Sequence, residues 1–557
     1  MATEAEGATA GAPGPRTRIA VFAGPDATVL NSEPLVTSDK ARLARGLPPR
    51  LDPSGRRLRF DALRPQRLAA PATVYVEAFS AHPLESDAAE LYAPPDGWLD
   101  RDGVVHDAPT SPADVPVLRI ELRPEDGLYP LPYMAFQADG RPWEGDEADA
   151  FGPPGRHRQP FYPDASRVFE EIDRVAPGHD GLAGHLDRLA DYDFLRPLPP
   201  AGATAAGERH GHDFFAYRPV HLLRQPSRHA LAKLTNEVAD ALASGRYSGG
   251  LWMEGSPYVE ETAWWLNLLV DTPLPIAAVA SQRPHGSFAN DGDMNIVDAV
   301  RYLVSGAWAD EVGRDALGAV VVMDQQLLQA RAAQKADARP GGYVVAGAHG
   351  GVLGSISSMG RPALSYRPVH AHTWRSAVRR TLLSEVVPAA GPGGEVRVRD
   401  GTGALRAEAI PVVALLKHGQ YIEEDATADP AREVAVTALL DRWRGRVPLA
   451  GFVAEGSAPF GTVNEGLDAA LRRATFAGYP VVKVGRGNAG GVTEARYHPF
   501  GIAGGTLTAT KGRLLLMACL LRFGGLPIAA DPAAPSPDEI RATQRALDRY
   551  REVFATH

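Results

Sequence analysis

Cysteine is nearly absent from this chain of 557 residues. The single one, Cys519, sits inside the apolar run 514–521. One thiol excludes a disulfide framework within the chain, and its surroundings mark it as core. No apolar run approaches a membrane-spanning length. Residues 1–16 have no basic-then-apolar signal region, so a cytoplasmic protein is expected. There is no excess of positive charge: the net charge is −9, with both signs scattered. Neither nucleic acid nor an anionic membrane surface is expected as a partner. His157, His210 and His212 lack metal-ligand spacing, so no metal is expected. What is present is 44% hydrophobic and 22% charged residues. That balance fits a globular protein of two or three domains.

Taken in order, residues 1–16 read as a small, Pro- and Gly-rich tail. Residues 18–23 read as a strand ending in Gly24-Pro25-Asp26-Ala27-Thr28. Residues 72–79 read as another strand, entering His82-Pro83-Leu84-Glu85-Ser86-Asp87. Residues 99–216 are rich in Pro, Gly, Asp and aromatics, with short helical pieces at 166–175 and 181–192. A structureless loop of that length is improbable in a compact domain, so 99–216 is expected to be an insertion. Beyond it, apolar strands alternate with helices, which argues for a parallel sheet. Strands are expected at 276–280 and 320–323, and helices at 227–242 and 295–304. Residues 386–410 read as a linker. A second α/β unit follows at 411–557, with strands at 412–417, 449–455 and 480–485. Its last helix starts at a capping box, Ser536 to Glu539.

The stretch 249–335 organises the chain. It opens G-G-L-W-M-E-G-S-P-Y-V-E-E-T-A-W-W-L. This is an apolar strand, a tight turn and a helix with Val259, Ala263, Leu266 and Val270 at helical spacing. Ser256 therefore falls at the carboxyl end of a strand and the positive end of a helix, where open α/β sheets hold ligands. The plainer reading makes Ser256 an N-cap with Pro257 at the first helical position.

E-G-S-P-Y-V-E-E-T-A-W-W-L resembles a segment of the bacterial-type L-asparaginase/glutaminase family, H-G-T-D-T-M-E-E-T-A-Y-F-L. Further matches follow in order. They are Gln282-Arg283-Pro284, Asp291-Gly292-Asp293-Met294-Asn295, Ala330-Arg331-Ala332-Ala333-Gln334-Lys335, His370 to Ser376, and Gly505-Thr506-Leu507 with Lys511 to Met517. The resemblance implies a two-domain α/β fold. A larger N-terminal parallel-sheet domain (17–385, carrying the 99–216 insertion) is joined to a smaller C-terminal one. It implies a cofactor-free, metal-free amidohydrolase working through an acyl-enzyme on a small-molecule amide, as a homodimer or homotetramer.

Carried over by position, the resemblance makes Thr28 or Ser256 the nucleophile and Lys335 the base. Ser86 and Asp87 fall on the ligand-gripping loop, for which a second register lies at Arg224-Gln225. Glu494 would reach a neighbouring subunit's site. The family's aspartate beside the second hydroxyl falls on Pro257, which carries no charge and accepts no bond from a substrate ammonium. The family's small-domain N-G-N loop is replaced around Gly456 to Phe460, and its early tyrosine has no match before Tyr75. A substrate other than free asparagine is expected. A non-hydrolytic binding protein on this fold and an amide- or acyl-transfer enzyme are the other readings the residues leave open.

Overall fold

The computed structural model describes residues 228–282, 291–346, 350–357, 361–419, 433, 435–487 and 498–557. Before these it describes 17–23, 50–51, 57–58, 65–66, 72–77, 97–100, 104–122, 129–130 and 190–195. The main sheet is built from β1 (Thr17–Ala23), β2 (Ala190–Leu195), β3 (Gly249–Met253), β4 (Ile276–Val279), β5 (Val320–Met323) and β6 (Gln326–Gln329). Beyond a small hairpin of β7 (Ala333–Lys335) and β8 (Tyr343–Val345), the strands β9 (Val352–Ile356) and β10 (Pro362–Leu364) complete it. Its order is β2-β1-β3-β4-β5-β6-β9-β10. The first five strands run parallel; β6, β9 and β10 are antiparallel. Every residue of β3, β4 and β5 is buried. Continuous apolar runs of this kind are what strands covered on both faces require.

Among the described residues, three α-helices precede the second sheet: α1 (Ala230–Ala243), α2 (Tyr258–Leu269) and α3 (Gly292–Ser305). Helix α2 is buried almost all round, through Trp264, Trp265, Leu266, Asn267, Leu268 and Leu269. A helix apolar on every side must lie inside. Its polar atoms are matched: Trp265 Nε1 donates to Thr235 Oγ1 at 2.8 Å, and Asn267 Oδ1 accepts from Ala319 N at 2.8 Å. Gly318 lies against that asparagine with φ +78°, and a Cβ there would stand 2.3 Å from Asn267 Oδ1. Only glycine fits.

The second sheet is wholly parallel: β11 (Val412–Lys417), β12 (Ala450–Gly456), β13 (Val481–Gly485) and β14 (Ile502–Ala503). Helices α4 (Ala435–Trp443), α5 (Glu465–Phe476), α6 (Ala509–Phe523) and α7 (Pro537–Thr556) accompany it. Helix α6 packs on α2, where Trp264 Nε1 donates to the Lys511 carbonyl at 3.1 Å. The capping box at Ser536 and Glu539 forms as the sequence reads.

Two features differ from expectation. The strand 190–195, inside the span read as an insertion and partly inside its helical piece 181–192, pairs in parallel with β1. That strand therefore belongs to the main sheet. The strand read at 72–79 is present at 72–77, where it pairs with 115–122 in a separate four-stranded antiparallel sheet with 97–99 and 105–106. Within the linker 386–410, Val386–Pro388 and Glu395–Arg397 form a hairpin that buries Val387, Val396 and Val398.

Candidate active site

Strand β3 delivers its chain to Glu254-Gly255-Ser256, directly before α2. Pro257 takes the N-cap position with φ −97°, and the helix has no side-chain cap. The capping reading of Ser256 is therefore corrected: its hydroxyl is not used to hold the helix start. Ser256 Oγ instead lies 2.9 Å from the Tyr343 hydroxyl and 3.4 Å from Gln282 Oε1. Glu260 and Glu261 occupy the first turn of α2, where the helix dipole favours negative charge.

The strand end beside β3 carries Gln282. Its backbone N–H donates to both Asp291 oxygens, at 3.0 and 3.1 Å, and its Nε2 donates to the Asp337 carbonyl at 3.1 Å. Asn295, one turn into α3, donates to the Ala280 carbonyl at 2.9 Å and accepts from Asp324 N at 2.9 Å. Asp291 and Asn295 thus fix the ends of β4 and β5 rather than reaching into the site. The Asp-Gly-x-x-Asn motif works here as scaffold.

Tyr343 comes from β8, which pairs with β7 so that Tyr343 opposes Lys335. Directly opposed residues of an antiparallel pair project to one face. Lys335 therefore shares a face with the phenol that touches Ser256. Its backbone N–H donates to Glu260 Oε2 at 2.5 Å, which ties β7 to α2. Among the described residues, the hydrogen-bond partners of Ser256 are Tyr343 and Gln282, not Lys335.

The electrostatics follow from burial. Tyr343 is only 3% exposed. Burial pushes its ionisation well above the usual range, and the carboxylates of Glu260, Glu254 and Asp291 add to this against the Ser256 bond. Burial also raises Glu260, opposed by the Lys335 N–H and by Lys511. Lys511 is brought down to about 8 by burial, with Glu260 and Glu261 acting the other way. Its ammonium donates to the carbonyls of Glu260 at 2.5 Å and Ala330 at 2.8 Å. Lys511 therefore joins α6 to the site's framework.

Of the residues singled out from the sequence, Ser256 and Lys335 come to one corner. Thr28, Ser86, Asp87 and Glu494 lie outside the described residues. Tyr343 escaped sequence reading, since its tie to Ser256 depends on the β7–β8 hairpin. Among the described residues no group of three or more His, Cys, Asp or Glu side chains is placed to hold a metal, and no helix is long and apolar enough to cross a membrane.

Ser256, Gln282, Asp291, Lys335 and Tyr343 all lie within residues 224–351, which match the family model described as "Asparaginase, N-terminal". Over that stretch the chain is asparaginase-like. It is 35% identical to L-asparaginase 2 of Bacillus subtilis (strain 168) over 101 residues, 18% of this chain and 25% of that protein. Against the glutaminase-asparaginase of Acinetobacter glutaminasificans it is 32% identical over 101 residues, 18% of this chain and 29% of that one. The matches therefore span between a quarter and a third of these curated relatives' length. The structure titled as a probable cytoplasmic L-asparaginase from Campylobacter jejuni superposes with a TM-score of 0.47 at 19% identity, covering 69% of this chain and 93% of that one.

Proposed function

We propose that this protein is an amidohydrolase that cleaves a carboxamide other than free asparagine through a hydroxyl nucleophile and an acyl-enzyme. One observation carries the reading. Ser256 stands at a strand end with its hydroxyl unused by the helix cap, and Lys335 projects to the same face as its Tyr343 partner. A hydroxyl beside a lysine is a nucleophile and base set.

In this reading Ser256 Oγ attacks the carbonyl carbon while Lys335 takes its proton. The C–N bond breaks, the proton passes to the departing nitrogen, and ammonia leaves an ester on Ser256. Water then hydrolyses the ester. Thr28 is the other candidate for the attacking hydroxyl. Ser86, Asp87 and Glu494 are proposed to hold the substrate, with Glu494 serving a neighbouring subunit of a homodimer or homotetramer. No cofactor or metal enters the scheme, and a cytoplasmic location goes with it. Pro257 argues for the altered substrate: a charged hydrogen bond is worth about 1.5–3 kcal/mol, and proline supplies none to a substrate ammonium.

The test is ammonia release from a panel of carboxamides, including N-acylated and larger derivatives. Ser256→Ala and Lys335→Ala are expected to abolish turnover of the active member. Full activity in both variants would overturn the assignment.

A further inference from the structure

We propose that Tyr343 is the hydrogen-bond donor that orients Ser256 and steadies the negative charge left on its Oγ as the proton departs. This rests on Ser256 acting as nucleophile.

The argument starts from the polarity of the hydrogen bonds. Gln282 uses Nε2 on the Asp337 carbonyl at 3.1 Å, so the atom it turns to Ser256 is the acceptor Oε1. A serine hydroxyl has one hydrogen. Donated to Gln282, it leaves the Oγ lone pairs facing the Tyr343 hydroxyl at 2.9 Å. Tyr343 must then be the donor. The chain runs from the Tyr343 O–H to Ser256 Oγ, and from the Ser256 O–H to Gln282 Oε1.

The surroundings keep Tyr343 in that role. Its ring is buried, and its place is fixed by the β7–β8 pairing opposite Lys335. Lys335 faces the phenol from the paired strand, but burial first, and then the carboxylates of Glu260, Glu254 and Asp291, oppose a phenolate. Tyr343 therefore keeps its proton throughout and is not the base. In the proposed reaction the serine O–H swings from Gln282 Oε1 to Lys335, which takes the proton while the Tyr343 bond to Oγ is kept. A buried donor held at fixed distance strengthens as charge grows on its acceptor, which is when Ser256 needs it.

The probe is p-nitrophenyl acetate, whose attack by Ser256 leaves an acetyl ester on Oγ and releases p-nitrophenolate. The full-length protein, Ser256→Ala, Tyr343→Phe and a form with 3-fluorotyrosine at position 343 are compared. The burst rate is followed across pH, and the acetylated peptide is located by mass spectrometry. Tyr343→Phe is expected to slow acetylation roughly 10- to 100-fold, the worth of a hydrogen bond to a charged group. Its rate should keep the same KM and rise only at higher pH. 3-Fluorotyrosine, which keeps the ring and the donor, is expected to hold the rate even where the phenylalanine form fails to fold. Acetylation of Ser256 in the unaltered protein at a rate matched by Tyr343→Phe, or lost with 3-fluorotyrosine, overturns the role of Tyr343 and leaves the hydrolase reading standing. Failure of the unaltered protein to acetylate at Ser256 overturns both the role of Tyr343 and the choice of Ser256 as nucleophile, and an acetyl group found on Thr28 instead would keep the hydrolase reading.

Discussion

The backbone N–H of Lys335 donates to the Glu260 carboxylate at 2.5 Å, clasping β7 to the first turn of α2. Ser256 lies just before that turn, so one bond sets the spacing between the candidate base and nucleophile. Glu260→Ala removes the acceptor and is expected to cost about 1–3 kcal/mol for the stranded N–H, with loss of turnover. Glu260→Gln keeps an acceptor without the buried charge. The sign of the pH effect follows from burial. The folded-state ionisation is raised above the ordinary 4.5, so the stabilisation is complete below that value and is lost as pH rises through the raised one. Urea unfolding should therefore show the Gln form gaining on the native chain from pH 4 to 7. A native chain that gains on the Gln form over that range would contradict this.

Much of the scaffold is legible in the sequence because it obeys local rules. Val320–Met323 and Ile276–Val279 are apolar runs bounded by breakers, and Ser536 with Glu539 forms the capping box its spacing specifies. Other parts are set by distant contacts. The turn between β5 and β6 places Asp324 and Gln325 at φ 49° and 62° without glycine. Asn295 Oδ1 holds it by accepting from Asp324 N, a bond invisible to periodicity. Strand 190–195 overlaps a helix-spaced pattern, yet pairing with β1 decides its conformation. Serine before proline reads as a cap. Its different use here depends on Tyr343, which arrives only through the hairpin opposite Lys335. The site was half legible for the same reason: motif spacing points to Ser256 and Lys335, whereas hydrogen-bond partners come from folding.

Lys511 joins the two sheets' helices through two carbonyls while 3% exposed. Burial lowers it from 10.5 to about 8. Between those values the folded chain sheds the proton and the unfolded chain keeps it, so stability rises with pH across that window. The contribution is gone once pH falls through about 8. Unfolding free energies from pH 7 to 10.5 should rise for the native chain relative to Lys511→Met. Parallel curves would show that Lys511 does not titrate as its burial requires.

His557 acts in the same direction at acid pH. It is 1% exposed, and its Nε2 accepts the Ala377 N–H at 2.8 Å while Nδ1 lies 3.0 Å from the Val553 carbonyl. That pattern needs a neutral ring protonated at Nδ1. Burial brings it down to about 4, with Arg331 and Arg522 adding to the effect and the Val553 bond opposing it. A lowered histidine stabilises fully above 6.5 and loses that contribution as pH falls toward 4. A second proton would also break the Ala377 bond. The native chain should lose stability from pH 7 to 4, by up to about 3 kcal/mol for this group. His557→Gln is expected to lose less over the same range, whatever its starting stability. An equal loss in both would move the acid sensitivity to other groups, with His370 and His372, each also near 4, the first to test.

Pro257 offers the direct test of substrate choice. It occupies the exposed N-cap of α2, one residue from Ser256. Pro257→Asp puts a carboxylate where the resembling family carries one, and an aspartate is itself a good cap at a helix N-terminus. If the missing charge is what turns the site away from free amino-acid amides, kcat/KM for asparagine should rise roughly 10- to 100-fold, the range of a charged hydrogen bond. The α-N-acetyl derivative, which has no ammonium, should gain nothing. Ammonia release from the two substrates by the same preparation separates the causes. An equal gain on both would mean the aspartate acts through the helix start, and that ammonium recognition is not what Pro257 removed.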